Sequence, residues 1–217
     1  MTTRIGIIGA GDLGRTVAAL LQDDEEFAIA GFYDDKEASR GVKAVDGLPL
    51  LGPISEVALA VAFDEALIAI GYRHLEFRLA LFERLRTAAV PFATFIHPSA
   101  FVHRTARIAA GAILFPRCVV DAGASVGATS LLNTGCVIAH DSHIGPGNFL
   151  GPGVLMAGLV RTGSRCFIGA GTVVKDNVCL EDDCSTGAGA VVVGNVAART
   201  LVAGVPARAM KRWSSAV

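Results

Sequence analysis

From Ile96 onward the sequence keeps a six-residue period without one insertion. Every sixth residue is Ile96, Val102, Ile108, Leu114, Val120, Val126, Leu132, Ile138, Ile144, Leu150, Met156, Thr162, Ile168, Val174, Leu180, Thr186 and Val192. Fifteen of these seventeen are aliphatic. The fifth residue of each hexad is Ala, Cys, Ser, Val or Thr in every case but Asn148, and none of the 34 positions is charged. A helix turns every ~3.6 residues and cannot hold a strict period of six. Three hexads instead close a triangular coil of 18 residues, each side a short strand and each corner a turn. Stacked coils form a parallel β-helix with ~4.8 Å between rungs, aliphatics inside and small residues at the corners. Seventeen hexads give just under six coils. The composition fits such an interior: 52% hydrophobic residues, only 6% aromatic, and 25 Gly.

The chain before this array has a different grammar. Residues 1–95 hold 23 of the 39 Asp, Glu, Lys and Arg, whereas residues 96–197 hold 12. The boundary falls near Phe95, which predicts two domains, 1–95 and 96–217. The first alternates strand and helix signals: strands at 4–8, 27–33 and 66–70, an edge element at 48–51, helices at 14–22, 54–61 and 75–88, and a closing segment at 91–95. On the last helix Leu75, Leu79, Phe82 and Leu85 form the expected apolar face. Alternating strands and helices imply a small parallel α/β sheet. The fold class is therefore α/β plus β, a small Rossmann-like domain before a parallel β-helix.

Nineteen basic and 20 acidic residues leave a net charge of −1, which argues against nucleic acid or an anionic membrane as partner. No apolar run approaches the ~18 residues of a membrane span. Gly9, Gly11 and Asp12 interrupt the first apolar stretch, against a signal peptide. Five cysteines without a C-x-x-C pair read as reduced, and the expected location is cytoplasmic. Cys118, Cys136, Cys166 and Cys184 fall on the small fifth position and read as packing residues.

Gly9-Ala10-Gly11-Asp12-Leu13-Gly14 is a full G-x-G-x-x-G between a strand and a helix, with Asp34 twenty residues beyond Gly14. The same physics holds a dinucleotide or a nucleotide-sugar pyrophosphate. About 95 residues make only half of a full dinucleotide fold. In the second half His140-Asp141 stands near a corner. An imidazole suits proton removal, and the adjacent carboxylate can fix its tautomer. Residue 158 lies one coil above His140. It is Gly158, whose N–H can receive a developing oxyanion.

These stretches resemble the hexapeptide-repeat acyltransferases, whose prism is a left-handed β-helix. Within them the chain is similar to the sialic-acid O-acetyltransferase and nucleotide-amino-sugar N-acetyltransferase group. The similarity rests on Gly9–Arg15, on Ile96–Ala100, on Asn133–Asp141 and on the closing Leu201–Arg208. The resemblance implies an acetyl-CoA-dependent acetyltransferase without a metal, with His140 as base, Asp141 as orienting acid and Gly158 as oxyanion donor. It implies a homotrimer with acetyl-CoA in a groove between prisms, its pantetheine passing Gly158, Ala170 and Ala188 and its phosphates near Arg208 or Lys211. Gly9, Gly11, Gly14, Asp34 and Asp35 would hold the nucleotide of the acceptor. Asn133, His143 and Phe149 would border the reacting sugar; Phe149 stands where the group often has a second histidine. Asp12 and Leu13 replace a glycine and a histidine common in the group. The expected acceptor is a nucleotide-linked amino sugar, with another activated sugar or a free sugar acid left open. Two other readings use the same residues: a zinc hydratase built on His103, His140 and His143, and an NAD(H)-binding sensor on a trimeric scaffold.

Overall fold

The computed structural model describes residues 2–59 and 62–210. The chain divides into two compact units between Phe95 and Ile96.

The first unit is a five-stranded sheet in the order β3-β4-β2-β1-β5. Its strands are β1 (Thr3–Ile8), β2 (Phe27–Tyr33), β3 (Ala44–Val45), β4 (Leu48–Gly52) and β5 (Glu65–Ile68). All pairs are parallel except β3 with β4. β1 lies between β2 and β5, and its Ile5, Ile7 and Ile8 are fully buried. The helices are α1 (Asp12–Gln22), α2 (Asp35–Ser39) and α3 (Leu75–Thr87). The order reverses at β1, between β2 and β5, so the glycine-rich loop leaves the sheet at its switch point.

Two local expectations are corrected. The helix expected over 54–61 is a 3₁₀ turn, Ile54–Leu59; only Ile54 and Val57 are buried, too little apolar surface for a longer helix, and Val61 lies outside the described residues. The closing segment 91–95 bridges Ala66 through Phe92 and ends in the strand Phe95–Ile96. On α3 the buried stripe is Leu75, Arg78, Leu81, Phe82 and Leu85, and Leu79 is only half-buried. Arg78 can occupy that stripe because its stem is apolar. Its Nη1 donates to the Ile70 carbonyl at 3.3 Å, and burial lowers its pKa to about 10.

The second unit is the left-handed β-helix. Seventeen two-residue strands run from Phe95–Ile96 to Val191–Val192 at strict six-residue spacing. They stack into three parallel faces. The first face starts at Phe95–Ile96, the second at Phe101–Val102 and the third at Arg107–Ile108. Residue n pairs with n+18, as in Val119 with Val137 and His143 with Arg161. The last coil is two residues shorter, pairing Leu180 with Val196 and Ser185 with Leu201. Leu201–Ala203 then turns back antiparallel on Arg208–Met210.

The corners show what the period encodes. The fourth residue of every hexad from Gly111 to Gly189 has a positive φ, and half of these residues are not glycine. The small fifth residue points inward, and where polar it donates to the carbonyl 15 residues later. Ser130 reaches Gly145 O at 2.8 Å, Ser142 reaches Ala157 O at 2.9 Å, and Cys118, Cys136 and Cys166 reach theirs at 3.2 Å. At these corners the carbonyl turned toward the interior thereby gains a donor.

The two polar residues in the aliphatic row, and the one large residue in the fifth row, explain each other. Asn148 is fully buried. Its Nδ2 donates to Thr162 Oγ1 at 2.6 Å and Gly163 O at 3.0 Å, and its Oδ1 accepts from Cys166 N at 2.6 Å. Thr186 and Thr172 likewise share a hydrogen bond of 2.8 Å. Replacing Asn148 with Ala strands the Cys166 N–H and the Gly163 carbonyl and takes one partner from the Thr162 hydroxyl, so the variant should lose about 2–4 kcal/mol in urea unfolding.

Candidate active site

His140 is the third residue of its hexad, on the edge between the second and third faces. Its Nδ1 lies 3.1 Å from Asp141 Oδ2. A carboxylate can only accept, so Nδ1 carries the proton and Nε2 of the neutral ring keeps its lone pair. Both side chains are more than half exposed. Asp141 occupies the fourth position with φ 57°, a conformation that Asp tolerates better than most residues.

Gly158 lies directly above. Leu159 N donates to His140 O at 3.0 Å, which fixes the two rungs in register. A Cβ on Gly158 would stand 2.5 Å from His140 Nε2 and 2.7 Å from Cε1. The Gly158 φ lies outside the left-handed region, so the turn itself does not demand glycine. The imidazole does.

Among the described residues nothing accepts a hydrogen bond from the Gly158 N–H. At the same hexad position the N–H of Ala122 is taken by Asp121 Oδ1 at 2.7 Å, and that of Thr134 by Asn133 Oδ1 at 2.8 Å. Before Gly158 stands Ala157, which has no such oxygen. The Ala157 carbonyl is held inward by Ser142 Oγ at 2.9 Å. A trans peptide points its C=O and N–H in opposite directions, so this bond turns the Gly158 N–H toward solvent. Ser142 thus touches the corner that carries Gly158, where the sequence showed only a small corner residue. The signal was its spacing, fifteen residues before Ala157.

The other expected site residues are spread around the prism. Asn133, Ala170 and Ala188 follow strands of the first face and lie on the edge between the first and second faces. Asn133 spends its oxygen on the Thr134 N–H. His143 is on the third face, its Nδ1 2.8 Å from Ser125 Oγ. Phe149 is buried on the first face, with its ring 5.9 Å from that of Phe167. Arg208 lies on the C-terminal hairpin, where its Nη1 donates to Ala207 O; Lys211 lies outside the described residues. His97 and His103 support corners: each Nδ1 is 2.9 Å from Ser99 Oγ or Thr105 Oγ1, which accept from the N–H of Arg117 and Gly123. His103, His140 and His143 thus have each Nδ1 engaged, and among the described residues no three His, Cys, Asp or Glu converge as a metal site.

In the first unit Gly9 has φ +105°, and a Cβ there would stand 2.9 Å from Ala69 O. A Cβ on Gly14 would collide with the Gly9 carbonyl. Gly11 has nothing within 4 Å, which leaves the loop approachable at that point. Asp34 ties this loop to α2. Its Oδ2 accepts from Ala10 N at 2.9 Å and its Oδ1 from Lys36 N and Glu37 N at 3.0 Å. Asp35 accepts from Ile54 N at 2.8 Å. Both carboxylates therefore shape the loop's surroundings through backbone bonds.

Four of the five thiols are buried. Burial raises the pKa of Cys184 and pushes that of Cys166 up to about 12. Thiolate is the reacting form. A disulfide reagent at pH 8 should therefore label only Cys179 in the folded protein and all five thiols after unfolding, as thiol counting would show.

A prism of strict hexads preceded by a small parallel α/β sheet is the architecture that the chain shares with hexapeptide-repeat acyltransferases. Residues 4–85 match the PglD N-terminal domain family. The chain is 26% identical to the acetyltransferase domain of PglB from Neisseria gonorrhoeae, solved with acetyl coenzyme A, over 97% of this chain and 100% of that one, with a TM-score of 0.89. It is 29% identical to a mutant of GDP-perosamine N-acetyltransferase from Caulobacter crescentus in complex with CoA and GDP-perosamine, over 96% and 97%, with a TM-score of 0.88. PerB of the same bacterium, also with CoA and GDP-perosamine, is 30% identical over 95% and 97%, with a TM-score of 0.78. No curated protein matches the chain. The chain belongs to this family, the acetyl-CoA-dependent hexapeptide-repeat sugar acetyltransferases.

Proposed function

We propose that the chain transfers the acetyl group of acetyl-CoA to the amine of a nucleotide-linked amino sugar, with His140, Asp141 and Gly158 as its catalytic residues. The observation that carries this reading is the open Gly158 N–H one rung above the His140 ring. The acceptor amine attacks the thioester carbonyl while His140 Nε2 takes its proton. The carbonyl oxygen becomes negative against the Gly158 N–H. Asp141 stabilises the imidazolium. Collapse expels the CoA thiolate, and the imidazolium returns the proton to sulfur.

The nucleotide end of the acceptor belongs to the loop Gly9–Gly14, where helix N–H groups favour phosphate. Relatives that carry GDP-perosamine support this acceptor class. The five free thiols and the use of acetyl-CoA suit the cytoplasm.

The surface supports a trimer. The outward residues of the second face are all apolar: Phe101, Val119, Val137, Leu155, Val173 and Val191. Phe101 is 56% exposed and Leu155 40%. On the third face the same column reads Arg107, Ser125, His143, Arg161 and Cys179. Three copies packing their second faces around one axis bring the His140 edge of each beside the next copy's edge that carries Ala170 and Ala188. Acetyl-CoA in that groove would touch both.

A thiol-release assay with acetyl-CoA and a panel of UDP-, GDP- and dTDP-amino sugars, their hydroxy counterparts and free sugar acids tests the reading. The matching nucleotide amino sugar should exceed the free amino sugar by about a hundredfold in kcat/KM, because remote binding energy is used at the reacting centre. Turnover of hydroxy sugars or free acids alone would overturn it.

A further inference from the structure

We propose that Gly123 is a positioning residue for the His140–Asp141 pair, an inference that rests on the reading of His140 as the base. Gly123 lies one rung below Asp141, as the pairing of Val120 with Ile138 and the bond from Asp141 N to Ala122 O (2.9 Å) establish. A Cβ built on Gly123 would collide with Asp141 Oδ1, the oxygen of that carboxylate not bonded to His140. The missing Cβ is the seat of the carboxylate. The pair is therefore bracketed along the edge, with Gly123 beneath the acid and Gly158 above the imidazole.

A side chain at 123 would displace the carboxylate rather than the backbone. Gly123 N donates to Thr105 Oγ1 at 3.0 Å, and Thr105 Oγ1 is itself 2.9 Å from His103 Nδ1. The Asp141 backbone is held to Ala122 from below. The free end of the Asp141 side chain is the part that can yield, and it leaves His140 Nδ1 when it does.

The corner geometry supplies an internal control. Gly123 has φ +70°, and Gly153, at the same hexad position, has φ +68° but nothing within 4 Å of its virtual Cβ. An alanine meets the same backbone strain at both positions and a carboxylate only at 123. Arg117, Thr129 and Leu159 hold the same conformation with side chains, so the prism accepts a Cβ there.

The test is imidazole ¹⁵N NMR of the full-length protein at a pH where His140 is neutral, together with acetyl-transfer kinetics using the best acceptor of the panel. The native ring should carry its proton on Nδ1. In Gly123→Ala and in Gly123→Asn, the latter better suited to positive φ, the signal should shift toward the Nε2–H tautomer, as in Asp141→Asn. kcat should fall about tenfold with KM for acetyl-CoA unchanged. Gly153→Ala should keep the native spectrum and rate. A native tautomer in both Gly123 variants, or an equal shift in Gly153→Ala, overturns the proposal. Full activity of His140→Ala would overturn the base assignment instead, while the tautomer signal would still report on Gly123.

Discussion

His140→Ala should lower kcat by about a thousandfold while leaving KM for acetyl-CoA and the melting temperature unchanged. The ring is more than half exposed. Among the described residues its side-chain hydrogen bonding is the 3.1 Å contact with Asp141. Removing it takes little from the fold and takes away the proposed proton acceptor. Steady-state thiol release and a thermal melt on the same preparation separate these effects. A drop in melting temperature comparable to that of Asn148→Ala would mean that the ring is structural.

The second large effect should come from Gly158→Ala. The backbone there suits any residue, so a destabilised fold is not expected. The new Cβ would occupy the space 2.5 Å from His140 Nε2. The ring must swing away from the N–H proposed to receive the thioester oxygen. Loss of alignment between base and oxyanion donor should cost about a hundredfold in kcat. Ser142→Ala, which releases the Ala157 carbonyl and with it the orientation of that N–H, should lower kcat in the same direction. Measured side by side, the two variants separate crowding of the base from misdirection of the donor.

Much of this was legible in the residues. A strict period of six fixes the coil at eighteen residues, and the same number places Gly158 over His140. Applied downward from Asp141 it also finds Gly123, a step that needs no coordinates. Ser142 was hidden because Ser, Cys, Ala and Val all satisfy the demand for a small corner residue. The donor role appears only once the carbonyl fifteen residues on is seen to point inward. Arg78 was hidden for the opposite reason: its charge masks an apolar stem, so Leu79 was the natural choice for the buried face. The spread of Asn133, Ala170, His143 and Phe149 over different faces follows from counting hexads modulo three. It shows that one prism cannot gather them all.

The register of n with n+18 has a further consequence for motion. Each coil bonds only to the coils above and below it, so opening must begin at an end and travel inward. His140 lies in the third coil and Gly158 in the fourth, of just under six. Amide exchange should therefore be slowest around the rungs of His140 and Gly158 and fastest in the first coil and the shortened last one. The site faces solvent sideways, yet it stands where fraying arrives last.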